Sequence, residues 1–229
     1  METGKILNLD LFPIPVTIGT LGESMRDLNS KLIEDCIHSV ENGETTLRTG
    51  VNVNQTLNYL ENYYDSFNQL AAIIAQFCQP IIERAGSPSR MIKVEEMWAN
   101  VAKNSTGFNM PHSHGADHMW TGVYYPSSGI IDGKHLSDEE SLDELANVVS
   151  KSQPDPGSLV IMDPYGHAKS SCVGTYTERY PYWGNPVSFV PKESTIVLFP
   201  SYVPHMTMPT GNDDMTRISI AFQIKVVDN

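Results

Sequence analysis

Cysteine is scarce in this chain: Cys36, Cys78 and Cys172 are the only three in 229 residues. They are scattered, odd in number and contain no CxxC pair, which argues against a disulfide framework or a cysteine-built zinc site and fits a reducing compartment. All three read as packing residues. Long apolar runs are missing too. No stretch approaches the roughly 20 apolar residues that a bilayer crossing needs. The opening residues Met1-Glu2-Thr3-Gly4-Lys5 lack the charged-then-apolar organisation of a signal peptide. The expectation is a soluble, cytoplasmic protein with no membrane partner. Basic charge is also short, with 15 Lys and Arg against 27 Asp and Glu, a formal net charge of -12. A negative surface repels phosphate backbones, so nucleic acid is a poor default partner, and the plain reading of the acidity is solubility.

What remains suits one well-cored domain spanning 1–229. Hydrophobic residues make up 40% and charged residues 18%, neither disordered nor membrane-like. Residues 1–90 read as an arm and supporting helices. Residues 5–19 alternate apolar residues with Pro13 and Pro15, which suits an edge strand or extended arm, because proline cannot donate to a central ladder. Helical spacing follows over 23–41 (Met25, Leu28, Leu32, Cys36) and over 54–85 (Leu57, Leu60, Phe67, Leu70, Ile74, Ile81). Asn54 or Thr56 is placed to cap the second helix, and Gly86 to follow its end. From 91 to 229 the pattern changes to short β-branched and aromatic runs: 91–102, 119–125, 157–163, 194–199 and 216–227. Short strands between Pro, Gly and Asn turns, without alternating helices, point to a sandwich or barrel. Residues 132–156, acidic and partly of helical spacing, read as an insertion between two strands: a lid or a solvated excursion.

The chemistry-bearing residues cluster late in the chain. Residues 109–118 read Asn109-Met-Pro-His112-Ser-His114-Gly-Ala-Asp117-His118. Side chains at i and i+2 of a strand share a face, so His112 and His114 can reach one ion, and neutral imidazole suits Fe, Zn, Cu or Ni. Two surface histidines beside a turn would look the same. The odds change at His205, which follows the apolar strand 196–199, and at Arg217, which opens the run Arg217-Ile-Ser219-Ile-Ala-Phe222. An arginine within such a strand needs an anionic partner. That partner is either an internal carboxylate or a ligand's carboxylate held bidentately.

The order HxH, then Thr121-Gly-Val-Tyr-Tyr125-Pro126, then Gly157-Ser-Leu-Val-Ile-Met-Asp-Pro164, then Phe199-Pro-Ser-Tyr-Val-Pro-His205, then Arg217-Ile-Ser219 resembles the 2-oxoglutarate–Fe(II) oxygenases. The prolyl-hydroxylase-like branch looks nearest, and the likeness is clearest over 96–224. This resemblance implies a mainly β fold with N-terminal supporting helices, a double-stranded β-helix (jelly roll, cupin-like). It further implies Fe(II), 2-oxoglutarate and O2 as cofactor and co-substrates, and hydroxylation of a peptidyl, for instance prolyl, or small-molecule substrate, the peptide favoured. Carried over residue by residue, His112 matches the first ligand of the HxD/E motif and His205 the distal histidine. Arg217 and Ser219 look like the RxS pair that grips the far carboxylate of 2-oxoglutarate, and Tyr125 like the tyrosine bonded to it. His114 departs from the family by standing where Asp or Glu is usual. Asp117 is the alternative metal ligand, although strand geometry favours His114. Asn109 and Asn100 are candidates for orienting ligands or binding co-substrate. His118 and His167 either border the site or lie on the surface. The aromatic stretch 176–186 is a candidate substrate loop. Two rivals stay open on residues alone. One is a three-histidine cupin-like enzyme that does not use 2-oxoglutarate, and the other a non-enzymatic structural jelly roll.

Overall fold

The structure, a computed structural model, describes residues 14–43, 45–46, 49–86, 91–115, 118–129, 154–165, 186–211, 213–214 and 216–227. The chain runs through β1 (Thr17–Thr20), a 3-10 turn at Glu23–Met25, α1 (Arg26–Glu41), β2 (Thr45–Thr46), β3 (Gly50–Val51), β4 (Asn54–Thr56), a 3-10 turn at Leu60–Asn62 and α2 (Asp65–Arg84). It continues through β5 (Met91–Ala102), β6 (Phe108–Asn109), β7 (Trp120–Ser127), β8 (Leu159–Ile161), β9 (Val187–Phe189), β10 (Thr195–Pro200), β11 (His205–Thr207) and β12 (Arg217–Val227).

The major sheet has the order β1-β10-β7-β12-β5-β4-β2, a smaller sheet β11-β8-β9, and β3 pairs with β6. Every strand pairing among the described residues is antiparallel. Alternation in the strands decides what each face meets. On β12, Ile218, Ile220, Phe222 and Ile224 are buried in one cluster with Leu32 and Cys36 of α1 and Phe67, Leu70, Ile74 and Cys78 of α2. Fully burying an aliphatic or aromatic side chain contributes roughly 1.5–3 kcal/mol, so the helices hold the outer face of the sheet. The intervening residues Ser219, Ala221 and Gln223 face the other way and line a cavity. A second cluster, Val123, Tyr125, Leu159, Ile161, Val197, Phe199 and Val203, joins β7 and β10 to β8 of the small sheet.

Strand β5 does not alternate cleanly. Val94 and Met97, three apart, both pack toward the helices, because the pairing with β12 slips between Ala221 and Gln223, where Ala221 faces Trp98 but Gln223 faces Glu95. The extra residue is a β-bulge. Glu96 takes the left-handed conformation there, with φ 56°, a region that non-glycine residues rarely adopt. The Glu61 carboxylate accepts the backbone N–H of Glu96 at 3.2 Å and of Met97 at 3.0 Å, which holds the kink in place.

The helix expected over 54–85 is corrected at its beginning. Residues 54–56 are a strand paired with β5, Tyr59 turns the chain at φ 68°, and α2 starts at Asp65 without a side-chain cap. Neither Asn54 nor Thr56 caps it; the Thr56 hydroxyl instead accepts the Ala99 N–H at 2.9 Å. Leu57 matched the helical spacing by coincidence and is exposed, while Leu60 is buried from its 3-10 turn. The end of the 5–19 segment forms β1 at the edge of the major sheet; residues 1–13 lie outside the described residues. So do the 132–156 insertion apart from 154–156, and the 176–186 stretch apart from Pro186. His112 and His114 do not end a strand: β6 closes at Asn109, and His112 joins His205 in an isolated bridge. Among the described residues no helix is long and apolar enough to cross a membrane.

Candidate active site

The inner face of the major sheet and the small sheet enclose a cavity of about 340 Å³. Backbone bonds bring the histidines to it. Beyond β10 the chain turns through Ser201–Pro204 and re-enters as β11 at His205, opposite Ile161. His112 N–H donates to the His205 carbonyl at 3.0 Å and His205 N–H to the His112 carbonyl at 2.9 Å. His114 N–H donates to the Ser201 carbonyl at 2.9 Å. Ring centroids lie 4.4 Å apart for His112–His205, 5.3 Å for His112–His114 and 5.1 Å for His114–His205. One nitrogen from each falls within 4.8 Å of the others.

Their protonation suits metal binding. His112 Nδ1 lies 2.7 Å from the Met110 carbonyl and His205 Nδ1 lies 3.0 Å from the Val203 carbonyl. A carbonyl only accepts, so each Nδ1 carries the proton and each Nε2 keeps a lone pair. Burial pushes His205 down to about 3, helped by the neighbouring His112, and pushes His114 down to about 4. Burial also lowers His112, opposed by its bond to Met110. All three are therefore neutral near pH 7, the form that ligates. Phe199 packs on His205 with centroids 4.8 Å apart, and Trp98 on His114 at 5.5 Å, which fixes ring directions. A neutral three-imidazole set fits a divalent first-row metal such as Fe.

Beside the histidines, Tyr125, Ser219 and Asn109 line the same cavity. The Tyr125 hydroxyl is buried with no hydrogen-bond partner among the described residues. An orphaned buried hydroxyl is costly, and Tyr125 belongs to the cavity wall. Burial raises its pKa, opposed by the nearby Arg217 charge. Arg217 itself does not line the cavity. Its Nη1 donates to the Met208 carbonyl at 2.8 Å, and its Nη2 to Thr207 Oγ1 at 3.1 Å and the Gly107 carbonyl at 3.3 Å. Thr207 does line it, so the guanidinium sits one side chain behind the wall. Among the described residues no carboxylate lies within ion-pair distance of Arg217. Gly129 is needed there, because at φ 69° any Cβ would meet Arg217 Cβ at 2.8 Å.

Asn109 is held from several sides. Its N–H donates to Thr207 Oγ1 at 2.8 Å, and its Nδ2 to Asn100 Oδ1 and Thr49 Oγ1, both at 3.3 Å. His118 lines the cavity and lies 3.6 Å from Glu95. Of the three tryptophans, Trp98 walls the cavity, Trp120 belongs to the helix-side core, and Trp183 is outside the described residues. Asp117 and His167 also lie outside them. The sequence reading missed Thr207, Gln55, Glu96 and Gln223, all on the wall. For Gln223 a signal was available, since it continues the period-2 row Arg217, Ser219, Ala221 on an otherwise apolar strand.

Three neutral imidazoles converging on a cavity between two antiparallel sheets form a set that can hold a non-haem metal ion. Residues 96–223 match the family model described as "Putative 2OG-Fe(II) oxygenase"; that is more than half of the chain, and the chain belongs to this family. It is accordingly a 2-oxoglutarate-dependent dioxygenase that uses Fe(II) and O2. No curated protein matches the sequence. Solved structures share the fold. A prolyl-4-hydroxylase from Pseudomonas putida is 16% identical, with 92% of this chain and 91% of that one covered and a TM-score of 0.55. A prolyl hydroxylase from Trichoplax adhaerens, in complex with a hypoxia inducible factor peptide, is 13% identical over 91% and 82%, TM-score 0.54. HygX from Streptomyces hygroscopicus, with nickel and 2-oxoglutarate bound, is 10% identical over 92% and 82%, TM-score 0.53. The double-stranded β-helix expected from sequence is thus the fold observed. Family membership sets aside both rivals, the metal enzyme without 2-oxoglutarate and the structural jelly roll.

Proposed function

We propose that His112, His114 and His205 hold the Fe(II), that Tyr125, Ser219 and Arg217 hold the far carboxylate of 2-oxoglutarate, and that the reaction is a hydroxylation. The observation that carries this reading is the convergence of three neutral imidazoles on a cavity whose wall also carries Tyr125, its hydroxyl without a hydrogen-bond partner among the described residues. When bound, the metal and co-substrate supply the oxidation: one O2 atom ends in succinate, formed with CO2 from 2-oxoglutarate, and the other in a substrate C–H bond that becomes C–OH.

The chain's own residues prepare for that chemistry. Met110 and Val203 carbonyls fix the tautomers of His112 and His205. Tyr125 donates its hydroxyl proton to a carboxylate oxygen, and Ser219 stands two residues from Arg217 on the same face of β12. The guanidinium reaches the site by releasing Thr207 or by holding Thr207 Oγ1 toward the ligand. Asn109, braced by Asn100 and Thr49, buttresses the wall between the two groups. Asp117 stays the alternative to His114. A peptidyl substrate is favoured over a small molecule by the likeness to the prolyl-hydroxylase-like branch. The chain acts as one domain over 1–229, with 1–90 as support and 91–229 as the roll. The free, buried thiols of Cys36 and Cys78 favour a reducing compartment, the cytoplasm.

Anaerobic titration with Fe(II) and then 2-oxoglutarate tests the assignment through the weak visible charge-transfer band of the complex. Arg217→Ala is expected to weaken 2-oxoglutarate binding by about 10–100-fold, the scale of one charged hydrogen bond, while Fe(II) still binds. His205→Ala is expected to lose the metal. Unchanged co-substrate affinity in Arg217→Ala removes the clamp assignment.

A further inference from the structure

The cavity extends further than the co-substrate needs. Along β12, which carries no bulge of its own, the row that lines the cavity runs from Ser219 to Gln223, four residues or about 14 Å. A five-carbon diacid has four C–C bonds of about 1.5 Å and cannot reach from one end of that row to the other. The end of the wall away from Ser219 is made by Gln223, Glu96 and Trp98.

Two observations there point to a ligand. Gln223 is 4% exposed, and its Oε1 is buried with no hydrogen-bond partner among the described residues. A buried acceptor left unpaired is costly. Glu96 is the residue on which β5 bulges, held at φ 56° by the Glu61 carboxylate. Glu96 lines the cavity in one row with Trp98 and Asn100. Asn58 Nδ2 donates to one Glu96 oxygen, and among the described residues no Lys, Arg or His lies within ion-pair distance of Glu96. The adjacent Glu95 is different, being shared between Lys93 at 3.2 Å and His118 at 3.6 Å. An acceptor without a donor and a carboxylate without a cation, among the described residues, thus line the same end of the cavity as Trp98.

From this we infer that Glu96 and Gln223 form the primary-substrate subsite and select a substrate bearing an amino group in its ammonium form. The Glu96 carboxylate pairs with the charge, Gln223 Oε1 accepts an N–H, and Trp98 offers a face on which a cation gains further. The inference deepens the proposed function and rests on it, since it assigns 2-oxoglutarate to the Arg217 end.

The test is isothermal titration calorimetry of the full chain with Mn(II) and 2-oxoglutarate present, at about 0.15 M salt, where surface attraction is screened beyond about 8 Å. The probes are 1,5-diaminopentane and its neutral counterpart 1,5-pentanediol. The diamine is expected to bind about tenfold or more tightly than the diol, the scale of one charge-assisted hydrogen bond. Glu96→Gln and Gln223→Met, both close in size to the native residues, should each remove most of that preference, whereas Glu34→Gln on the exposed face of α1 should keep it. Absence of diamine binding, equal binding of diol and diamine, or an equal loss in Glu34→Gln would overturn the subsite. The affinity for 2-oxoglutarate is read in the same samples before the probe is added. Its absence in the unaltered protein refutes the proposed function, while its presence without diamine selectivity refutes only the subsite.

Discussion

Among the side chains of the site, His114 has the clearest consequence for charge. The family that the sequence resembles usually has a carboxylate at this position, and with His114 as the proposed ligand the centre is one unit more positive once a divalent ion is bound. Two unit charges about 4 Å apart interact by about 4 kcal/mol at an effective dielectric of 20, and partial solvation reduces what is realised. An anionic co-substrate beside the metal is therefore held more tightly with His114 than with Asp. In His114→Asp the expected outcome is retained Mn(II) binding with 2-oxoglutarate bound about tenfold more weakly, measured by calorimetry. Co-substrate affinity that stays level or rises would mean that His114 does not sit on the ion. Such a result would bring back Asp117, the other ligand the local sequence allows.

At the scale of elements, β5 decides the shape of the cavity, and a residue outside the sheet decides the shape of β5. Glu61, on the 3-10 turn Leu60–Asn62, takes two backbone N–H groups of the bulge into one carboxylate. Removing it leaves both donors unpaired in a part-buried setting, at about 1–3 kcal/mol each when fully buried. Glu61→Ala is expected to lower Tm by about 4–8 °C, taking a net 2 kcal/mol and the usual 2–4 °C per kcal/mol for a chain of this size. An unchanged Tm would show that the bulge holds without its brace. The same region shows why some elements were legible from sequence and others were not. Strand β5 was readable to its last residue because Ile92, Val94, Met97 and Val101 are all apolar. The step of three between Val94 and Met97 already recorded the bulge, although alternation alone does not say so. Strand β4 was hidden, because Leu57 and Leu60 continue the helical spacing of α2 upstream, and only tertiary pairing with β5 overrides it. The three converging histidines were readable as types and order. Their convergence was not, since it depends on the His112–His205 bridge between distant segments. Glu96 was not legible as a wall residue because counting forward from Ile92 and Val94 assigns it to the helix face, while it in fact continues the row of Trp98 and Asn100 beyond the bulge.

For the molecule as a whole, the site and the helices share one sheet. The same β12 strand packs Ile218, Ile220 and Phe222 on α1 and α2 and lines the cavity with Ser219 and Gln223, so opening of the helices and loss of the site should be one event. Cys36 on α1 and Cys78 on α2 report on it, because both are free and fully buried in that cluster. Burial raises both thiols, Cys78 to about 12 and Cys36 further, with the Asp35 charge adding, so neither forms a reactive thiolate in the folded state. In Cys172→Ser, a disulfide reagent such as DTNB is expected to leave the native protein unlabelled and to modify Cys36 and Cys78 together as denaturant is raised. Mn(II) with 2-oxoglutarate at about 100 times its Kd should then slow labelling by about 100-fold, because a ligand that binds only the folded form lowers the open population by that factor. If Cys36 is labelled well before Cys78, or if ligand leaves the rate untouched, the helices open without disturbing the roll. The support and the site would then be separate folding units despite sharing β12.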